Sequence, residues 1–218
     1  MADRQGAALI VGAGDATGGA IARAFAREGL TTCITRRARH LEDLESLAAA
    51  IEAEVGPLEV CVFNIGANVN FPITEMTARV YQKVWEMAAY AGFLAGREAA
   101  RVMSPRGRGT IIFTGATAAI RGGSRYAAFA GAKHALRALA QSMARELGPK
   151  GIHVAHVVID GAIDSAFIRE MLPDADARRA RDGLLVPDEI AKNYVWLHRQ
   201  HRSAWTHELD LRPWCETW

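Results

Sequence analysis

The run VGAGDATGGA, residues 11–20, constrains this chain more than any other stretch, because it joins an apolar strand-like run (7–12) directly to a segment of helical period (17–28). Glycines at such a junction let the backbone turn tightly and let a pyrophosphate approach the positive N-terminus of the helix. With a strand before and a helix after, Gly12, Gly14, Ala16, Thr17 and Gly18 read as a nucleotide-binding turn rather than a plain strand-to-helix connection.

The rest of the chain continues the alternation. Strand-like runs at 30–35, 58–64, 109–115 and 152–159 are separated by helical patterns at 41–55, 77–103 and 125–147, and two short helices and a last strand near 206–211 complete the order. Short apolar strands alternating with longer amphipathic helices predict an α/β fold, a doubly wound parallel sheet covered on both faces. No repeat or linker divides it, so one domain spans 1–218, with a substrate loop at about 160–186. Residues 38–57 hold one helix and its turns but not a further strand, so the strand at 30–35 is predicted to be the outer edge of the sheet.

Charge and cysteine content remove several classes of function. Twenty-six basic against 24 acidic side chains leave a formal charge of +2, too balanced for nucleic acid or an anionic membrane to be the main partner. Cys33, Cys61 and Cys215 have no metal-like spacing and read as reduced thiols, which points to the cytoplasm. The first strand begins almost at once, leaving no room for a signal peptide, and no apolar run approaches the ~20 residues of a membrane span. His153 and His156 lie three apart in a strand, on opposite faces, and cannot share an ion. His198, His201 and His207 fit helix-end packing better than zinc, so no metal is expected.

Several fragments in order carry a resemblance. The glycine turn is followed after a later strand by FNIG (63–66), with Asn64 and Gly66, by AGAK ending at Lys133, and by DGAIDS (160–165), with Gly161, Ile163 and Ser165. In this order and context the chain resembles the short-chain dehydrogenase/reductase family over nearly its whole length. The resemblance implies a Rossmann fold and hydride transfer with a nicotinamide cofactor. It implies that Lys133 contacts the nicotinamide ribose and that Ile163 and Ser165 lie by the carboxamide. Ala16 stands where the family has a glycine, and Asp160 where it has a proline. At the end of the second strand Arg36 and Arg37 replace the acidic residue that would bind a ribose hydroxyl; a guanidinium matches a 2′-phosphate, so NADP is preferred over NAD.

The catalytic positions depart further. The family's tyrosine, four residues before the lysine, falls on Phe129; its serine falls on Ala116, and its asparagine near Ala89. An alkoxide formed by hydride addition needs a proton or fixed donors. Two hydroxyls offer substitutes. Thr117 is placed either to orient a carbonyl or to cap a strand end. Tyr126 lies seven residues before Lys133, on the same face of a helix spanning 125–147, the spacing of the divergent enoyl reductase branch of the family. It serves either as proton donor or as a packing aromatic.

Two readings follow: an oxidoreductase acting on a carbonyl or conjugated alkene of a small molecule, or a nucleotide- or ligand-binding protein whose catalysis is impaired. The resemblance also implies a homodimer or homotetramer, paired through the two long helices with Ala88, Ala91, Ala95, Ala128, Ala132 and Ala140 at the contact; the aromatic density of the tail, with Trp205, Trp214 and Trp218, points to a further contact there.

Overall fold

The computed structural model describes residues 6–35 and 42–217. Six strands, β1 (Ala7–Val11), β2 (Thr31–Thr35), β3 (Leu58–Phe63), β4 (Gly109–Thr114), β5 (Ile152–Ile159) and β6 (Glu208–Leu211), pair in the order β2, β1, β3, β4, β5, β6, every pair parallel. Parallel neighbours need long crossovers. The chain supplies them as α1 (Thr17–Arg27), α2 (Glu42–Glu54), α3 (Ala78–Trp85), α4 (Ala91–Met103), α5 (Ala127–Leu147), α6 (Ala166–Met171), α7 (Ala175–Ala180) and α8 (Pro187–Arg199).

Side chains alternate across the strands and feed two cores. Leu9, Val11, Phe63 and Phe113 face one side of the sheet, with Leu44 from α2, Leu94 from α4 and Leu136 from α5. Ile10, Val62, Ile112 and Val157 face the other, with Ile21 and Phe25 from α1 and Tyr194 and Leu197 from α8. Covering both faces is what makes β1, β3, β4 and β5 read as largely apolar runs. The exception is β2, the outermost strand among the described residues, where Ile34 is 63% exposed. The expectation that 30–35 forms the edge is met. Because β2 and β3 flank β1 on opposite sides, the strand order reverses at the C-terminal ends of β1 and β3, where doubly wound sheets open a ligand crevice.

Two expectations are corrected. The segment 77–103 is not one uninterrupted helix: a π turn, Glu86–Tyr90, separates α3 from α4. The wider turn brings positions five apart onto one side, and Trp85 and Tyr90 stack there, centroids 5.9 Å apart and planes at 12°. Phe93 stacks on Tyr90 in turn, and Arg97 covers the Phe93 ring. The alanines expected at a subunit contact, Ala88, Ala91, Ala95, Ala128, Ala132 and Ala140, are buried inside this chain, where their small size lets its own helices and sheet approach. Of the tryptophans near the chain end, Trp205 stacks on His153, Trp214 donates to the Arg181 carbonyl in the substrate loop, and Trp218 lies outside the described residues.

A part-buried polar cluster ties α5 to the sheet. Arg137 holds Glu208 of β6 through two bonds of 2.6 Å, and His156 of β5 lies 3.0 Å from the same carboxylate through Nδ1. Burial outweighs that partner and lowers the His156 pKa to about 4, so the ring is neutral at pH 7 and Nδ1 donates. Among the described residues, no helix is long and apolar enough to cross a membrane, and no group of His, Cys, Asp and Glu is arranged to hold a metal ion.

Candidate active site

The crevice at the strand reversal is a cavity of about 1150 Å³, bordered by the glycine turn, residues 64–66, the end of β4, the start of α5 and the substrate loop from Gly161 to Arg169. The turn is built from its glycines. Gly12 takes φ +92°, and a Cβ there would sit 2.9 Å from the Asn64 carbonyl group; Asn64 Nδ2 donates back to the Gly12 oxygen at 3.1 Å. A Cβ on Gly18 would lie 2.4 Å from the Gly12 oxygen, so α1 packs against the turn only without a side chain. Gly14 is different, because nothing lies within 4 Å of its missing Cβ and its backbone is open to the cavity.

Helix α1 starts at this opening without a side-chain cap, Ala16 being its N-cap residue. Thr17 lines the cavity, is 6% exposed, and its Oγ1 has no hydrogen-bond partner. A buried hydroxyl left unsatisfied beside an uncapped helix N-terminus is a ready donor set for an anion. The turn therefore fits a pyrophosphate. Ala16 lines the same cavity.

Lys133 reaches the cavity from the second turn of α5. It is 2% exposed, and Nζ donates to the Ile65 carbonyl at 2.9 Å and the Thr114 carbonyl at 2.8 Å. No carboxylate pairs with it among the described residues, and burial lowers its pKa to about 7. The Phe129 ring, one turn earlier, lies 5.9 Å from Nζ.

The two substitute hydroxyls stand differently from their sequence reading. Tyr126 is not within α5 but is its N-cap residue, at φ −106° and ψ 22°, so helical spacing does not set its direction toward Lys133. It borders the same cavity and packs against Ala118, Phe129 and Ala130, and its hydroxyl meets no partner among the described residues. Thr117 begins a 3-10 turn and donates its hydroxyl to Asp160. That proton is committed to a carboxylate, so Thr117 does not offer it to a substrate carbonyl in this state.

Asp160, at the position where the resemblance gives a proline, sits in a charge cluster. It is 1% exposed at the end of β5, with Arg212 at 3.5 Å and Arg121 at 3.9 Å besides Thr117. This cluster had no sequence signal, since its members are brought together from Thr117 to Arg212. Beyond it, Gly161 adopts φ +152° with a Pro213 carbon 2.7 Å from its missing Cβ, Ile163 pairs with Leu185 across the substrate loop, and Ser165 caps α6 through Ile168 N. Gly66 is open, with nothing within 4 Å. Arg36 and Arg37 lie outside the described residues.

A parallel sheet reversing its strand order beside an uncapped, glycine-framed helix N-terminus defines a doubly wound α/β protein of Rossmann type. Residues 2–208 match the family model described as enoyl-(acyl carrier protein) reductase. The chain is 30% identical over 207 residues to an L-rhamnose 1-dehydrogenase (NAD(P)(+)) of Azotobacter vinelandii, covering 89% of this chain and 80% of that one. It is 28% identical over 177 residues to the 3-oxoacyl-[acyl-carrier-protein] reductase MabA of Mycobacterium avium, 75% and 69% of the two chains. The crystal structure of a short-chain dehydrogenase from Rhodopseudomonas palustris superposes with TM-score 0.80 at 44% identity, covering 96% of this chain and 99% of that one. A variant of actinorhodin polyketide ketoreductase with NADPH gives 0.83 at 21%, covering 96% of each, a likeness of fold. The chain belongs to the short-chain dehydrogenase/reductase family of oxidoreductases.

Proposed function

We propose that this protein is an NADP-dependent oxidoreductase that moves hydride between the cofactor and a carbonyl or conjugated alkene of a small molecule. The observation that carries the reading is the single cavity shared by the open Gly14 backbone, the unpartnered Thr17 hydroxyl and the buried Lys133 amine. Gly12, Gly14, Ala16, Thr17 and Gly18 hold the pyrophosphate, Asn64 and Gly66 border the ribose, and Lys133 donates to the nicotinamide ribose. Ile163 and Ser165, with Gly161 below them, flank the carboxamide, and Arg36 and Arg37 take the 2′-phosphate. The cofactor supplies the hydride when bound. The chain's own task is to exclude water and to supply a proton, for which Tyr126 and Lys133 both border the cavity. A 3-oxoacyl reductase and a sugar dehydrogenase among its relatives support carbonyl chemistry.

A second reading, a nucleotide- or ligand-binding protein with impaired catalysis, is favoured by Phe129, which sets a ring without a proton beside Lys133. Cofactor fluorescence titrations separate the readings. NADPH is expected to bind about tenfold or more tightly than NADH, the preference falling away in an Arg36→Asp, Arg37→Asp double variant. Equal affinities refute the 2′-phosphate contact. Consumption of NADPH with any member of a carbonyl and enoyl panel supports the enzyme over the binding protein.

The reduced thiols Cys33, Cys61 and Cys215 suit the cytoplasm. Self-association as a homodimer or homotetramer is best served by the exposed face carrying Tyr81, Trp85, Tyr90 and Phe93, an aromatic density that water alone does not favour. Light scattering at micromolar concentration is expected to show a multiple of the 23.6 kDa chain, and a Trp85→Glu variant a monomer. A wild-type monomer contradicts it.

A further inference from the structure

We propose that Arg121 anchors an anionic substrate, so that the cavity takes an oxo acid, a ketone whose apolar body ends in a carboxylate. The proposal rests on the oxidoreductase reading and names the class of substrate within it. Arg121 follows the 3-10 turn Thr117–Ala119 in the connection from β4 to α5, and it lines the cavity together with Gly122, Gly123 and Tyr126. Its side chain is 46% exposed. Nothing lies within 4 Å of the missing Gly122 Cβ, so the chain beside Arg121 leaves room for a ligand.

What sets Arg121 apart is unused hydrogen-bonding capacity. A guanidinium carries five N–H donors in a planar fork that matches a carboxylate. Arg169, which also lines the cavity, gives its Nε to Asp164 at 2.7 Å, and Arg179 meets the other oxygen of that carboxylate at 3.2 Å. Arg212 donates to Asp210. The Arg121 side chain makes no hydrogen bond among the described residues, and its ion pair with Asp160, at 3.9 Å, is beyond hydrogen-bond reach. Asp160 keeps other partners without it, since it accepts the Thr117 hydroxyl and has Arg212 at 3.5 Å. Arg121 can therefore turn to a ligand carboxylate without stranding a buried charge, exchanging a long pair for two direct bonds. The cations of the cofactor end are placed otherwise: Arg23 of α1 pairs with Asp188 of α8 at 3.5 Å, and Lys133 donates to two backbone carbonyls.

The wall beyond Arg121 is apolar. Phe129, Ile163, Phe167 and Ile168 line the same cavity, and Phe167 of α6 is 62% exposed. A substrate whose hydrocarbon chain covers Phe167 while its charged end meets Arg121 satisfies both. A neutral ketone leaves the guanidinium fork unfilled, and a small polar acid leaves Phe167 bare. The carboxylate takes no part in the chemistry. Hydride adds to the ketone carbon, the π pair moves to oxygen, and that oxygen takes a proton, giving a hydroxy acid and the oxidised cofactor.

Calorimetric titration of octanoate and of octanamide into the protein in excess NADP+ reads the anchor without turnover. Octanoate is expected to bind about tenfold or more tightly than octanamide. Arg121→Leu should weaken octanoate by about 10- to 100-fold and leave octanamide within about twofold, and Arg121→Lys should recover part of the loss. Lys150→Leu, which removes the same charge from an exposed pair with Glu146, should leave octanoate binding unchanged. Equal affinity for octanoate and octanamide, or octanoate binding that is indifferent to Arg121→Leu, overturns the proposal. An equal loss in Lys150→Leu does so too, because it reduces the effect to net charge. Kinetics separate the proposal from the reading it rests on. NADPH-dependent reduction of oxooctanoates with the ketone at the second, fourth or seventh carbon should exceed that of their methyl esters in kcat/KM and should fall in Arg121→Leu. Esters reduced as well as the acids would leave the oxidoreductase standing and remove the oxo acid. Octanoate binding that depends on Arg121, with no reduction of any acid or ester, supports the carboxylate anchor and counts against the oxidoreductase reading.

Discussion

Between pH 7 and pH 9 the wild-type protein is expected to gain about 2 kcal/mol of stability through Lys133, and a Lys133→Met protein is expected to lack that gain. The folded pKa near 7 lies below the ordinary lysine value of 10.5. In the window between them the unfolded chain binds the proton and the folded chain has released it. Stability therefore rises with pH while the unfolded state holds more protons, and it is lost again as pH falls toward 7. Above pH 9 the Cys61 thiol, pushed up to about 12 by burial, works in the opposite direction, which closes the useful window. Urea unfolding at pH 7, 8 and 9 measures the effect. The two proteins should diverge in midpoint across the series at similar slope. Parallel pH dependence would mean that Lys133 keeps its proton in the folded state.

The glycine turn carries the second large effect, and its two kinds of glycine separate folding from binding. In Gly18→Ala the new methyl meets the Gly12 oxygen at 2.4 Å and the Ala13 Cα at 2.7 Å, both backbone atoms with no rotamer to yield. Helix α1 must then move off the turn, and a loss of about 3 kcal/mol is expected. The Cβ of Gly14→Val meets no protein atom within 4 Å beyond its chain neighbours, and the position has no left-handed φ to strain, so stability should stay within about 0.5 kcal/mol. Its side chain instead occupies the cavity beside Thr17. Thermal unfolding should place Gly18→Ala well below the wild type and Gly14→Val beside it; the reverse order would remove the turn from the description of the site.

Local pattern carried the architecture. Largely apolar runs at β1, β3, β4 and β5 marked strands buried on both faces, and the brevity of 38–57 placed β2 at the edge. The site was legible where a motif is continuous in sequence: Gly12 to Gly18, Asn64 and Gly66, Lys133 and Gly161 to Ser165 all meet at one cavity. It was illegible where geometry depends on one backbone step or on distant charges. Helical periodicity does not register a π turn, because residues 77–103 stay amphipathic on either side of it. Tyr126 falls just before the helix that its spacing assumed. Thr117 had two local readings, and the outcome was set by Asp160, which Arg212 holds from the far end of the chain.

The central claim is that the glycine turn, Thr17 and Lys133 frame a site for a nicotinamide dinucleotide. Calorimetric titration of NADPH into the wild type and into Gly14→Val tests it most directly. The account predicts one saturable site per chain in the wild type, and affinity weaker by about 100-fold or more in Gly14→Val at unchanged thermal stability. Equal affinity in both proteins, or no binding to a folded wild type, would contradict it.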